Sequence, residues 1–326
     1  MKNRIFGKTG WSVGEVGLGC WQLGGSDWGD VSDEQAFEIL RAAVDSGCTF
    51  LDTADVYGAG RSETLIGKFL KQTGKPLKVA TKLGRMGLYP DKYTEATLRQ
   101  ATEASLQRLG VSRLDLTQLH CVPTAVMQRG EVFEWLRRQQ REGLIEQFGA
   151  SVESMDEALM CVKQPGLASL QIIFNIFRQK PIETLFAAAK ANGVALIVRL
   201  PLASGLLSGS LRADHVFAKN DHRNYNRDGQ CFNVGETFAG LPYEKGVTLS
   251  QELAGYVPAG MTMAQMALRW VLDHDAVSVI IPGASRPAQA VANAAVSAMP
   301  GLGEELHAKL RKFYVEKVAG HVRGPY

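Results

Sequence analysis

The sequence predicts an α/β protein built as a (β/α)8 TIM barrel, with an N-terminal β-hairpin and an extra C-terminal helix. Three observations carry this. Short apolar runs alternate with amphipathic helical stretches eight times. Strict alternation of that kind requires parallel strands joined by right-handed crossovers. The 326 residues suit one such barrel and contain no internal linker or low-complexity tract, so a single domain over 1–326 is expected.

Residues 4–17 read as a hairpin. Arg4-Ile5-Phe6 and Val13-Gly14-Glu15-Val16 flank the turn-rich Gly7-Lys8-Thr9-Gly10. Val16-Gly17-Leu18-Gly19 is the first barrel strand. Ser32 is placed to cap a helix over 33–46 whose Ala36, Ile39, Leu40 and Ala43 share one face, with Gly47 as its stop. The second strand covers 49–52, before a helix over 62–71. The third, 77–81, precedes a helix from Thr94 to 108 that Gly110 ends. The fourth, 114–119, precedes a helix over 128–142 closed by Gly143. The fifth, 147–150, leads to a helix opened by Ser151 or Ser154 and running to 163. The sixth, 169–173, is followed by a helix over 182–191, and the seventh is 194–198. Residues 200–260 are polar and irregular, and are expected to form an elaborated loop after the seventh strand. Thr262 opens a helix to 274, the eighth strand is 277–281, and helices over 287–297 and 303–318 follow.

Composition is that of a soluble globular chain with a net charge of +3. No run of like charge is long enough to suggest a nucleic-acid patch. Arg137, Arg138 and Arg141 fall at the spacing of a solvated helix face. No stretch approaches the roughly 18 apolar residues of a membrane span, and no signal core is seen, so a cytoplasmic protein is expected. The five cysteines form no C-x-x-C pair, and no histidine stands at zinc-site spacing. Free thiols and no metal are expected.

Reactive groups in such a barrel sit at the C-terminal ends of strands. The second strand ends on Asp52, the third on Lys82 and the fourth on His120. Tyr57 follows Asp52 in a loop ended by Gly58 and Gly60. Asp52 alone could equally be a turn cap. Three ionisable groups on neighbouring strand ends point instead to shared chemistry. A phenol with a pKa of about 10 holds its proton at neutral pH. An ammonium such as Lys82 would lower that value toward the working range, and Asp52 would keep the ammonium charged and aimed. His120 could donate to a substrate carbonyl. The four polarise a C=O and protonate its oxygen, but supply no nucleophile.

Phe50-Leu51-Asp52-Thr53-Ala54-Asp55-Val56-Tyr57-Gly58, with Lys82 and His120, resembles the catalytic tetrad of the aldo-keto reductases. The resemblance extends from Gly17-Leu18-Gly19-Cys20-Trp21 to Ile281-Pro282-Gly283-Ala284-Ser285-Arg286. It implies reduction of aldehydes or ketones, with Tyr57 as general acid and NADPH or NADP+ extended across the barrel mouth. It places Ser151 and Gln171 on the nicotinamide carboxamide, although Val152 stands where an asparagine is common. It assigns the pyrophosphate to Leu200, Pro201, Leu202, Ser204 and Leu206, through backbone amides and the Ser204 hydroxyl. Gly283, Ser285, Arg286, Gln289 and Asn293 resemble the adenosine end, with Arg286 on a 2′-phosphate. Ala292 replaces a glutamate frequent there.

Arg199 stands where an aromatic ring often stacks on the nicotinamide. Its guanidinium plane could stack too, and should then repel the oxidised ring. Trp21 is expected against both cofactor and substrate. Tyr57, Tyr89 and His120 are expected to line the substrate pocket, and Trp28 and Phe177 could join them. Partners are therefore a small carbonyl or alcohol substrate, with no nucleic acid and no membrane. Three other readings stay open. They are a sugar or polyol dehydrogenase running the same chemistry backwards, a slow-turnover NADPH-binding redox-sensing subunit, and a Schiff-base aldolase using Lys82.

Overall fold

The computed structural model of the protein describes every residue except Ser26. The chain enters as an antiparallel hairpin of β1 (Asn3–Ile5) and β2 (Ser12–Gly14). Next come β3 (Leu18–Gly19), α1 (Asp33–Asp45), β4 (Phe50–Asp52), α2 (Arg61–Thr73), β5 (Lys78–Leu83) and α3 (Glu95–Leu109). β6 (Leu114–His120), α4 (Thr124–Arg129), α5 (Glu131–Arg141), β7 (Ile145–Ser151), α6 (Met155–Cys161) and β8 (Ser169–Ile173) continue the alternation. α7 (Pro181–Thr184), α8 (Phe186–Ala191) and β9 (Ala195–Arg199) follow, then α9 (His222–Tyr225) and α10 (Tyr243–Leu253). α11 (Met263–Leu272), β10 (Val277–Ile280), α12 (Pro287–Ala295) and α13 (Glu304–Phe313) complete the order.

β3 to β10 pair in sequence order, every pair parallel. The last strand meets the first: Gly17 N donates to Ile280 O at 2.8 Å and Gly19 N to Pro282 O at 3.1 Å. The eight-stranded sheet thereby closes. Its lumen is packed by Phe50, Ala80, Leu116, Ala195, Ile197 and Val279. Phe6 of the hairpin plugs the floor, stacked on Phe50 at 5.4 Å and Trp11 at 5.6 Å. A larger apolar layer lies between barrel and helices.

The predicted caps form. Ser32, Thr94, Ser154 and Thr262 each accept from a backbone N–H of the first turn. Ser154 opens α6, leaving Ser151 as the last residue of β7. Four expectations need correction. The helix expected over 128–142 is two, α4 and α5, because Gly130 turns left-handed between them at φ +80°. The helix over 182–191 is likewise broken at Leu185. The last helix is α-helical only to Phe313, and a wider turn follows over 314–318. The 200–260 segment is not irregular throughout. α10 lies in it, burying Val247, Leu249 and Leu253, and Gly246 lets the Leu206 side chain approach closely. Of the five cysteines, all free, only Cys231 is exposed. No helix among the described residues is long and apolar enough to cross a membrane.

Candidate active site

Strand alternation builds the site. Side chains two residues apart share a face, and the lumen cluster fixes which face is inward. Phe50, Ala80, Leu116 and Ile197 point into the barrel. The inward positions one or two steps later are therefore Asp52, Lys82, His120 and Arg199. Ser151 at the end of β7 and Gln171 in the middle of β8 are paired in register with each other. A polar layer thus caps an apolar lumen at the C-terminal mouth.

The buried Lys82 ammonium uses all three of its hydrogens. It donates to Asp52 Oδ2 at 2.6 Å, Thr53 O at 2.8 Å and Tyr57 OH at 3.1 Å. Gln171 Nε2 donates to the other Asp52 oxygen at 2.7 Å. Because Tyr57 accepts from the ammonium, its own O–H is free to donate elsewhere. The His120 ring meets the Tyr57 ring edge-on at 5.9 Å, and Trp21 stacks on the Tyr57 ring at 5.6 Å.

Protonation states follow from burial first. Burial would lower Lys82, but the adjoining Asp52 carboxylate and Tyr57 phenol together more than offset this and leave its pKa raised. Burial raises Asp52, while Lys82 and Gln171 pull it back. The pair keeps its proton on the amine. Tyr57 departs from expectation. Burial pushes it up to about 12, outweighing the ammonium that lowers it. The hydroxyl sits deep, against an amine that is 1% exposed, where a phenolate would be poorly solvated. Tyr57 is thus a firmly protonated donor. Burial, then Lys82 and two arginines, hold His120 well below its ordinary value, so the ring is neutral. Its Nδ1 is enclosed without a partner among the described residues.

These groups open on a cleft of about 750 Å³. Trp21, Ser151, Gln171, Arg199, Leu200, Pro201 and Leu202 line it, as do Ser204, Gly283, Ser285 and Gln289. The other expected residues lie in several places. Tyr89 is half-exposed beside Arg85 and does not line the cleft. Phe177 is fully buried in the core. Leu206 lies behind the cleft, its carbonyl accepting from Ser250 Oγ. Asn293 sits beneath the Gly283 carbonyl and outside the cleft wall. Arg286 is exposed at the N-cap of α12, beyond that wall. The Ser204 hydroxyl donates to Glu236 O and accepts from Phe238 N, so it ties two loops together instead of facing an anion.

Arg199 is not a free stacking cation. Its guanidinium pairs with Glu236 and donates to Val152 O at 2.8 Å. Three more cleft residues escape the sequence reading: Arg85, Asp27 and Glu236. Arg85 bonds His120 O and, at 3.1 Å, Glu153. Asp27 accepts from Trp21 Nε1 and Tyr225 OH, joining the β3 loop to the 200–260 segment. None sits in a recognisable spacing. Arg85, three residues past Lys82, was within reach of a strand-end reading; Glu236 was not.

A closed barrel whose mouth joins a lysine-backed tyrosine, a neutral histidine and a cleft can, chemically, hand a proton to a polarised oxygen. Residues 15–315 match the model of the aldo/keto reductase family. Over 286 residues the chain is 30% identical to the aldo-keto reductase YhdN of Bacillus subtilis (strain 168), covering 86% of this chain and 84% of that one. The glycerol dehydrogenase AKR11B4 from Gluconobacter oxydans superposes with a TM-score of 0.80 at 26% identity, over 100% of this chain and 97% of that one. The holo form of aldo-keto reductase AKR11C1 from Bacillus halodurans gives 0.77 at 26% identity, over 96% of both. The chain belongs to the aldo/keto reductase family, and is an oxidoreductase by that membership.

Proposed function

We infer that the protein is an NADP(H)-dependent reductase of aldehydes or ketones, with Tyr57 as its general acid. The observation that carries this is the chain Asp52–Lys82–Tyr57, with contacts of 2.6 and 3.1 Å. It leaves the Tyr57 proton free to meet a substrate oxygen. Neutral His120 orients that oxygen by a hydrogen bond. As charge builds on the oxygen, the ammonium behind Tyr57 compensates the charge left on the phenol.

The cleft suits a nicotinamide dinucleotide on its own chemistry. Gln171 commits its NH2 to Asp52, which leaves its carbonyl to accept from a carboxamide, beside the Ser151 hydroxyl. Arg199 Nε and Gln22 Oε1 are buried, without a partner among the described residues, and on residues that line the cleft. A reduced nicotinamide bound there supplies the hydride. Exposed Arg286 at a helix start suits a 2′-phosphate.

Positioned proton transfer contributes about 10²- to 10⁴-fold. Tyr57→Phe should therefore lower kcat by about 10³-fold while NADPH still binds, measured by NADPH oxidation and by fluorescence titration. Full turnover in that variant rejects the reading. The similarity to a glycerol dehydrogenase supports a second direction, polyol oxidation with NADP+ at the same residues. Rates with NADPH plus aldehydes against NADP+ plus polyols decide between them. A redox-sensing subunit would instead bind NADPH tightly and turn neither over. A Schiff base at Lys82 is disfavoured, because the amine is charged and all three hydrogens are engaged.

A further inference from the structure

Arg199 is unexplained by the proton-transfer cluster. It ends β9 on the cleft wall, 8% exposed, with one nitrogen on Val152 O directly after Ser151. The Ser204 bridge holds Glu236 against it from a loop some 37 residues further along. The neighbouring cations are balanced in the same way, Lys82 by Asp52 and Arg85 by Glu153. Cys121, Glu153 and Glu236 could offer ligand atoms to a metal ion within 4.8 Å of one another. Both carboxylates are already committed to arginines, which disfavours a divalent cation there.

We propose that Glu236 is a charge-balancing, positioning residue that lets the cleft hold an oxidised, positively charged nicotinamide beside Arg199 as well as the neutral reduced one. This rests on the reading that the cleft takes a nicotinamide. An unbalanced guanidinium repels the oxidised ring and leaves the neutral ring nearly untouched, since the Coulomb term acts on net charge. In a partly buried cleft that term is weakly screened. Glu236 cancels it. The Arg199 Nε–H, enclosed without a protein partner among the described residues, stays available to donate to a ligand oxygen.

The test is the ratio of dissociation constants, Kd(NADP+)/Kd(NADPH), measured by calorimetry on the intact protein. Glu236→Gln raises this ratio on the order of tenfold. Removing both charges, as Arg199→Gln with Glu236→Gln, returns it to within about twofold of wild type. Arg199→Gln alone leaves a carboxylate unbalanced and moves the ratio the other way, which keeps the test open should Glu236→Gln fail to fold. Equal weakening of both ligands in the single variants shows Glu236 to be only a strut for its loop and overturns the proposal. Wild-type protein that binds neither nucleotide overturns the functional reading and this one together. Wild-type protein that binds both, with a ratio no variant moves, overturns this one alone.

Discussion

Asp55 shows how far a single side chain can depart from its sequence context. It lies one turn from Tyr57, 1% exposed, with Oδ1 unpartnered among the described residues. Burial pushes its carboxyl up to about 7, and Glu63 adds to this while Arg108 opposes it. In the unfolded chain it titrates near 3.9. A carboxyl that holds its proton more tightly when folded stabilises the fold below that lower value. The contribution is lost as pH rises through about 7. Between about pH 4 and pH 8 the wild type should lose up to about 4 kcal/mol relative to Asp55→Asn. Urea unfolding of both proteins across pH measures this, and parallel curves would refute it. His222 and His274, both lowered to about 4 by burial, act with the opposite sign. They are common to both proteins and cancel in the difference. Asp52, Lys82 and His120 were legible in the sequence because strand ends are, and Tyr57 because it follows one in a glycine-marked loop. The firmly held Tyr57 proton was not, because burial is a sum over neighbours distant in the chain.

At the scale of elements, the Tyr57 loop depends on a backbone contact. Gly58 adopts φ +59°, and a Cβ there would fall 2.2 Å from Gly24 O. A Cβ on Gly24 would in turn fall 2.8 Å from Gly58 N. No side chain fits between the β3 loop and the β4 loop, and this closeness seats the Tyr57 hydroxyl on Lys82. Gly58→Ala must push the loop away, so kcat should fall by at least about tenfold, the loss from a displaced reacting group. NADPH affinity should hold, since the groups assigned to the nicotinamide stand on other strands. A fluorescence-determined Kd that weakens as much as kcat falls would contradict this. The glycines after Tyr57 were visible as turn residues, but Gly24 as their partner was not. Similarly, Gly130 marked a helix end only once its left-handed geometry was known. The spacing of residues 128–142 suits one helix as well as two.

Over the whole molecule, the barrel separates stability from chemistry along its axis. The polar layer of Asp52, Lys82, His120, Ser151, Gln171 and Arg199 faces the cleft, while Phe6 closes the opposite end at 0% exposure. Phe6→Ala leaves a cavity against Phe50 and Trp11 and should cost about 3–5 kcal/mol. A lowered urea midpoint with unchanged NADPH affinity is the expected result. A change in the cofactor ratio would show that the two ends are coupled.

The eightfold alternation, the hairpin, the helix caps and the strand-end residues can be read from local sequence. Each of these is written in periods of two or about 3.6 residues and in local turn chemistry. Folding in three dimensions sets the pairing of Arg199 with Glu236, the loop bridge made by Ser204, and the places of Tyr89 and Phe177 outside the cleft. The reason is physical. Periodicity fixes which face a side chain takes, but the charge it carries and the partner it finds depend on distances between segments that no local pattern encodes.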